Sequence, residues 1–214
     1  MTQEELDYNW NAYFYPGTEV LKNKLNIMDA TELQQKEQEI TVLRNAELID
    51  KPINGNFDEL HLKNIHAYIF QDLYDFAGQY RNTNIEKNNC AFVSCEAIEW
   101  HLKNILELSK EELHQVQNKY DFATHLANLF CQIMFVHPFR EGNGRSIREF
   151  IREYAIEKSK LFSFGPLNFS WQNVDTETLN KAIHFSVVFR SSIELEFFKA
   201  LTPSPSIEDL PILK

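Results

Sequence analysis

Apolar residues recur along this chain at steps of three and four, in runs separated by short polar or Pro/Gly breaks, which is the pattern of helices burying one face. The clearest run passes from Phe122 through Leu126, Leu129 and Ile133 to Val136. His137-Pro138 ends it, because proline disfavours helical geometry in the residue before it. The period resumes at Ile147, Phe150, Ile151, Tyr154 and Ala155. Earlier, Thr31 with Gln34 has the spacing of a capping box, and Leu33, Ile40 and Leu43 predict a helix to about Ala46. Leu62, Ile65, Ile69 and Leu73 predict a second helix from Asp58 to Phe76, stopped near Gly78. Ile98, Leu102, Ile105 and Leu106 predict another over Ala97 to Leu108, with a charged connection from Lys110 to Asn118. After the Gly165-Pro166 loop come a helix near Asp175 to Phe189 and a last one, capped by Ser191 and Glu194, with Ile193, Leu195, Phe198 and Leu201.

Two stretches depart from the helical period. Trp10 to Thr18 is aromatic and broken by Pro16-Gly17, which predicts an extended arm packed across the helices. Asn82 to Cys95 carries turn formers at Asn84 and Lys87-Asn88-Asn89, flanked by Ile85 and Phe92-Val93, and predicts a short β-hairpin. The fold class is therefore all-α, a helical bundle with one short hairpin. Pro203 and Pro205 mark the end of the bundle, giving one domain over 1–202 and a tail over 203–214.

Composition narrows the function. A chain of 214 residues at 43% hydrophobic suits one domain with a sizeable core. The net charge of −10 argues against a nucleic-acid-binding surface, which needs a basic patch. No run approaches the ~18 apolar residues that span a bilayer, and the acidic start Met1-Thr2-Gln3-Glu4-Glu5 is unlike a signal peptide. A cytoplasmic protein with no membrane partner is expected. Cys90, Cys95 and Cys131 are odd in number and lack zinc-ligand spacing, which fits a reducing compartment. His61 and His66 lie about 140° apart around a helix and cannot share a metal from one face. His125 falls off the apolar stripe and is expected at the surface.

The densest chemistry is the loop His137-Pro138-Phe139-Arg140-Glu141-Gly142-Asn143-Gly144-Arg145-Ser146-Ile147-Arg148. Gly142-Asn143-Gly144 tolerates left-handed dihedrals, so backbone N–H groups can converge at the start of the following helix, where anions bind. Arg145 and Arg148, three apart, share one face and suit a polyphosphate. A carboxylate at Glu141 beside that anion calls for a cation between them, and Mg²⁺ commonly joins carboxylates to substrate phosphates. His137, with an ordinary pKa of about 6.5, is a candidate general base. Singly, a helix-end histidine, a Gly-Asn-Gly turn and an arginine pair all have ordinary structural explanations. Their coincidence in twelve residues outweighs those explanations.

The string His137-Pro138-Phe139-x-Glu141-Gly142-Asn143-Gly144-Arg145-x-x-Arg148 resembles the complete core motif of the Fic family. Tyr15-Pro16-Gly17-Thr18 with Leu21-Lys22-Asn23-Lys24, and Leu73-Tyr74-Asp75-Phe76-Ala77-Gly78-Gln79-Tyr80-Arg81, are similar to segments that precede it in that family. The resemblance implies transfer of AMP from ATP to a protein hydroxyl on Tyr, Ser or Thr. It casts His137 as the base, Glu141 as the Mg²⁺ ligand, and Gly142, Asn143, Gly144 and Arg145 as holders of the α- and β-phosphates. Arg148 would take the γ-phosphate, and Phe139 would plug the loop into the core beneath the ATP site. The hairpin, with Ile85, Glu86, Lys87, Asn88, Asn89 and Phe92, would be the flap on which the target adds a strand.

Many Fic proteins resemble one another in an inhibitory Ser/Thr-x-x-x-Glu-Gly/Asn helix. Here Glu141-Gly142 is the one Glu-Gly pair and no Glu-Asn occurs; Ser192 to Glu196 is followed by Phe197, and Ser204 to Glu208 is interrupted by Pro205. The resemblance is thus to toxin-type members restrained by a separate antitoxin, whose targets are type II topoisomerase subunits. Two other readings stay open: a non-catalytic nucleotide- or partner-binding module, and phosphoryl transfer of the Doc type. Intact His137 and Glu141 speak against the first, and Gly142 with Gly144 against the second.

Overall fold

The computed structural model describes residues 1–87, 90–175, 177, 179 and 190–204. Among them are seven α-helices: α1 (Gln3–Ala12), α2 (Ala30–Asp50), α3 (Glu59–Phe70), α4 (Ile98–Glu112), α5 (Lys119–Val136), α6 (Asn143–Ser159) and α7 (Arg190–Ala200). The two short antiparallel sheets pair β1 (Glu86–Lys87) with β2 (Cys90–Ala91), and β3 (Leu167–Phe169) with β4 (Leu201–Pro203). The all-α class and the predicted hairpin are both present. No helix among the described residues is long and apolar enough to cross a membrane. The chain forms two compact units, Met1–Glu107 with Gln132–Phe150, and Leu108–Cys131 with Ile151–Lys214.

In the first unit, Trp10 to Ala12 belongs to a helix, not to the extended arm expected. Thr2 starts α1 with a reciprocal capping box, its side chain accepting from the Glu5 amide while Glu5 accepts from the Thr2 amide. Beyond α1, Phe14 bridges to Leu21, and the Lys24 amide donates to the Leu73 carbonyl at 2.8 Å. Helix α2 starts at Asp29, whose carboxylate accepts the Glu32 amide at 2.8 Å, so Thr31 is not the cap. Its buried face is Leu33, Thr41 and Leu48, whereas the expected Leu43 is 65% exposed. Helix α3 stops at Phe70, earlier than Phe76, although Leu73 and Tyr74 stay buried in the turns that follow. Leu62, Ile65, Ile69 and Phe70 are fully buried, each worth roughly 1.5–3 kcal/mol of apolar transfer.

In the second unit, an aromatic cluster joins Phe130, Phe169, Trp171 and Phe197 at centroid distances of 4.9 to 5.6 Å. The sheet of β3 and β4 was not anticipated from Gly165-Pro166, and Asn168 pairs with Thr202 across it. The expected connection from Lys110 begins as the last residues of α4, followed by a 3₁₀ turn over Leu113–Gln115. His125 is buried, correcting the surface assignment: its Nε2 lies 3.0 Å from the Tyr154 hydroxyl and 3.2 Å from the Ser109 hydroxyl. Most of the helix expected over Asp175 to Phe189, and residues 205–214 of the expected tail, lie outside the described residues.

Candidate active site

The motif loop joins the last residue of α5 to the first turn of α6, and all of it lies in the first unit. His137 has φ +49°, a left-handed conformation uncommon for a residue with a side chain. Phe139 is fully buried, with its ring stacked on His66 at 3.8 Å. The Asn143 side chain holds that residue's backbone by both edges: its Nδ2 donates to the Phe139 carbonyl and its Oδ1 accepts the Phe139 amide, each at 2.8 Å. Gly142 has φ +79°, and a Cβ there would lie 2.1 Å from the Phe70 ring, so both the dihedral and the close approach require glycine.

Around that loop the predicted side chains converge. His137 Nδ1 is 3.2 Å from the Met134 carbonyl, a contact only an N–H can make favourably. The neutral tautomer so selected carries its lone pair on Nε2. Burial pushes the imidazole pKa down to about 4, opposed by the Met134 hydrogen bond and reinforced by Arg81 and Lys87. Glu141 Oε1 accepts the Gly142 amide at 2.8 Å and lies 3.4 Å from Arg145 Nη2. Arg145 also reaches Glu37 at 2.5 Å and Thr41 at 3.3 Å, over the Phe70 ring. Arg148 Nε donates to the Gly144 carbonyl at 3.0 Å; burial lowers its pKa, and the neighbouring Arg145 cation adds to that. A Cβ at Gly144 would meet nothing nearer than Arg148 Nη2 at 3.8 Å. A helix N-terminus, two guanidinium groups and one part-exposed carboxylate thus surround a single region, a donor set suited to phosphate and a hard divalent cation.

In the hairpin, Glu86 pairs with Ala91 and Lys87 with Cys90, and the Phe92 amide donates to the Ile85 carbonyl at 3.2 Å. Phe92 stacks on His137 at 4.0 Å and 15°. Ile85 and Glu86 line a cleft of about 440 Å³ with Leu6, Asp7 and Trp10 of α1. Asn88 and Asn89 lie outside the described residues.

Three positions that shape the site did not stand out in the sequence. Arg81 is 2% exposed, and its guanidinium donates to four backbone carbonyls: Val136 and His137 of the motif side, Thr83 and Val93 of the flap side. Its amide donates to Pro138 at 2.9 Å. Burial lowers its pKa to about 10, so it stays cationic at neutral pH. His66 accepts the Gly78 amide at Nδ1 (2.8 Å), which fixes the proton on Nε2 and lets that nitrogen donate to the Glu141 carbonyl at 2.9 Å. Arg140 sits over Trp10 at 4.4 Å, Phe14 at 5.1 Å and Tyr13 at 5.5 Å, which ties the loop to α1 and the turn after it by cation–π contact. The one available signal for His66 was its place on the inward stripe of α3, and for Arg81 its position at the end of the Leu73 to Arg81 segment.

Residues 56–155 match the Fic/DOC family. A relative from Escherichia coli (strain K12), named "Probable protein adenylyltransferase Fic", is 33% identical over 173 residues, covering 80% of this chain and 82% of the relative. The chain belongs to the Fic/DOC family. "Protein adenylyltransferase VbhT" of Bartonella schoenbuchensis is 32% identical over 80% of this chain, which spans only 35% of that longer protein. Among solved Fic-fold structures, BepC of Bartonella tribocorum, crystallised with AMPPNP, superposes with a TM-score of 0.77 at 21% identity, covering 91% of this chain and 98% of that one. A Fic domain from Bartonella quintana with bound ADP gives 0.78 at 21% identity, covering 90% and 95%. The helical fold is shared with both.

Proposed function

We propose that this chain is a protein adenylyltransferase that moves AMP from ATP to a hydroxyl side chain of another protein, with the motif loop as its active site. The observation that carries the reading is the His137 tautomer: Nδ1 is engaged by Met134, so Nε2 is the nitrogen that accepts a proton. Support also comes from the relatives' names, and from AMPPNP and ADP in the solved Fic structures.

In the proposed reaction, His137 Nε2 takes the proton of the target hydroxyl as its oxygen attacks the α-phosphorus. The bond from that phosphorus to the α,β-bridging oxygen breaks, and pyrophosphate leaves. A bound polyphosphate stabilises the imidazolium and lifts the low His137 pKa toward neutrality. The N-terminal turn of α6 and Arg145 receive the α- and β-phosphates, and Arg148 the γ-phosphate. Asn143 and Phe139 act through the loop backbone, since one is bonded to that backbone and the other fully buried. Glu141 would hold Mg²⁺, which would supply charge neutralisation to the bound phosphates. The flap, through Ile85 to Phe92, would present the target segment by strand addition, with Phe92 keeping the imidazole plane in place.

The same reading extends to biology: a cytoplasmic toxin acting on type II topoisomerase subunits, held in check by a small antitoxin. Incubation of the protein with Mg²⁺, bacterial lysate and ATP labelled at the α- or the γ-phosphate tests the chemistry. The α-label entering protein is expected. Transfer of the γ-label would replace adenylylation with phosphorylation, and no transfer of either would leave a binding module.

A further inference from the structure

Arg145 is gripped by residues far from it in sequence. Its Nη2 donates to Glu37 Oε1 at 2.5 Å and its Nη1 to Thr41 Oγ1 at 3.3 Å, both partners lying one turn apart on α2. The Phe70 ring of α3 lies under the guanidinium at 4.7 Å. Glu37 is itself anchored, because its second oxygen accepts the hydroxyl of the buried Tyr74. The two ion-paired side chains are 15% exposed at Glu37 and 26% at Arg145, so solvent screens them only in part.

We infer that Glu37 is a positioning residue for Arg145, aiming its guanidinium at the nucleotide phosphates; the inference rests on the nucleotide site proposed above. An unrestrained arginine has many rotamers to lose when it meets a phosphate, and a carboxylate fixed by a tyrosine removes most of that freedom beforehand. Charge acts in the same direction. Arg145 and Arg148 lie close enough for the first to depress the pKa of the second. A carboxylate beside Arg145 offsets that repulsion, and Glu37 makes the shorter contact while Glu141 stands 3.4 Å away. Glu37 thereby leaves Glu141 to a cation. The contacts do not close the site, since a guanidinium has five donors and Glu37, Thr41 and Glu141 together engage three of them.

Glu37→Gln keeps the size of the side chain and an acceptor for Tyr74. The Arg145 Nε–H NMR signal is expected to be sharp in the wild type and to broaden in this variant. AMP transfer is expected to lose about tenfold in kcat while ATP affinity stays within about threefold. In an Arg145→Ala background the same substitution should cost less than about twofold, since its partner is gone. An equal loss in both backgrounds makes Glu37 a general structural residue and overturns the inference. Tighter ATP binding with faster transfer makes it a brake and overturns it too. If Glu37→Gln fails to fold, Tyr74→Phe, which releases one oxygen of Glu37, should broaden the same signal and lower kcat in the same direction. Should the wild type transfer no AMP, the functional reading fails, and the Arg145 NMR signal still decides the role of Glu37.

Discussion

Two clusters of buried polar groups, one around the motif loop and one around Tyr154, are built differently. Around the motif loop, Arg81, His66 and Asn143 direct their side chains at backbone groups of Val136, His137, Phe139 and Glu141. In the other cluster, Ser109, His125 and Tyr154 bond to one another. The reason lies in the backbone. Helices satisfy their own amides and carbonyls, and at Tyr154 the polar side chains buried between α4, α5 and α6 pair with one another. An irregular loop has carbonyls without ladder partners, and a buried side chain must supply the donors. Arg81, His66 and Asn143 thereby hold the loop in one shape, whereas the Ser109–His125–Tyr154 cluster holds helices against one another.

Substitutions can break or sharpen that contrast. The largest effect is expected at the chemistry: His137→Ala should lower AMP transfer by roughly 10²–10⁴-fold with the helical circular dichroism unchanged. Wild-type rates would remove this histidine from the reaction. Arg81→Met leaves four carbonyls without donors, so a loss of about 3–5 kcal/mol in denaturant unfolding is expected, with transfer failing alongside it. His66→Phe keeps a ring against Phe139 but orphans the Gly78 amide and the Glu141 carbonyl, costing about 2–3 kcal/mol and reducing transfer. Tyr154→Phe should cost only about 1 kcal/mol and leave transfer intact. A fall in activity there as large as that of His66→Phe would erase the distinction between the two clusters.

Acid provides a further comparison. Burial lowers the folded-state pKa of His66, His125 and His137 to about 4, while the unfolded chain titrates near 6.5. Between those values the unfolded state holds more protons, so stability rises with pH from about 4 to about 6.5 and is flat above. Urea midpoints measured across that window should fall as pH drops. His125→Gln should flatten the slope without touching transfer, and His66→Phe should flatten it while lowering transfer.

The candidate site was legible because its chemistry is contiguous: His137 to Arg148 carries base, carboxylate, glycines and arginines in one stretch. The helices were legible through their apolar period. What stayed hidden obeys neither condition. On α2 the inward face includes Thr41 and the part-buried Glu37, so its hydrophobic stripe is interrupted where it serves Arg145. Arg81 looks like a surface charge until the carbonyls around it are known. His125 lies on the flank of the α5 stripe, and only Ser109 and Tyr154 explain why it is inside. The sheet of Leu167–Phe169 with Leu201–Pro203 pairs two short segments far apart in the chain, too brief to display alternation.

The left-handed backbone at His137 sets local conformational preference against chemistry. Glycine adopts that geometry freely, whereas other residues give up about 1 kcal/mol to hold it. His137→Gly should therefore be inactive yet more stable than His137→Ala by about that amount. Among variants that lack the imidazole, a library selected only for heat resistance would favour glycine over alanine at position 137, and one selected for turnover would return to histidine. The identity of that single residue in an evolved population then reports which pressure the population has been under.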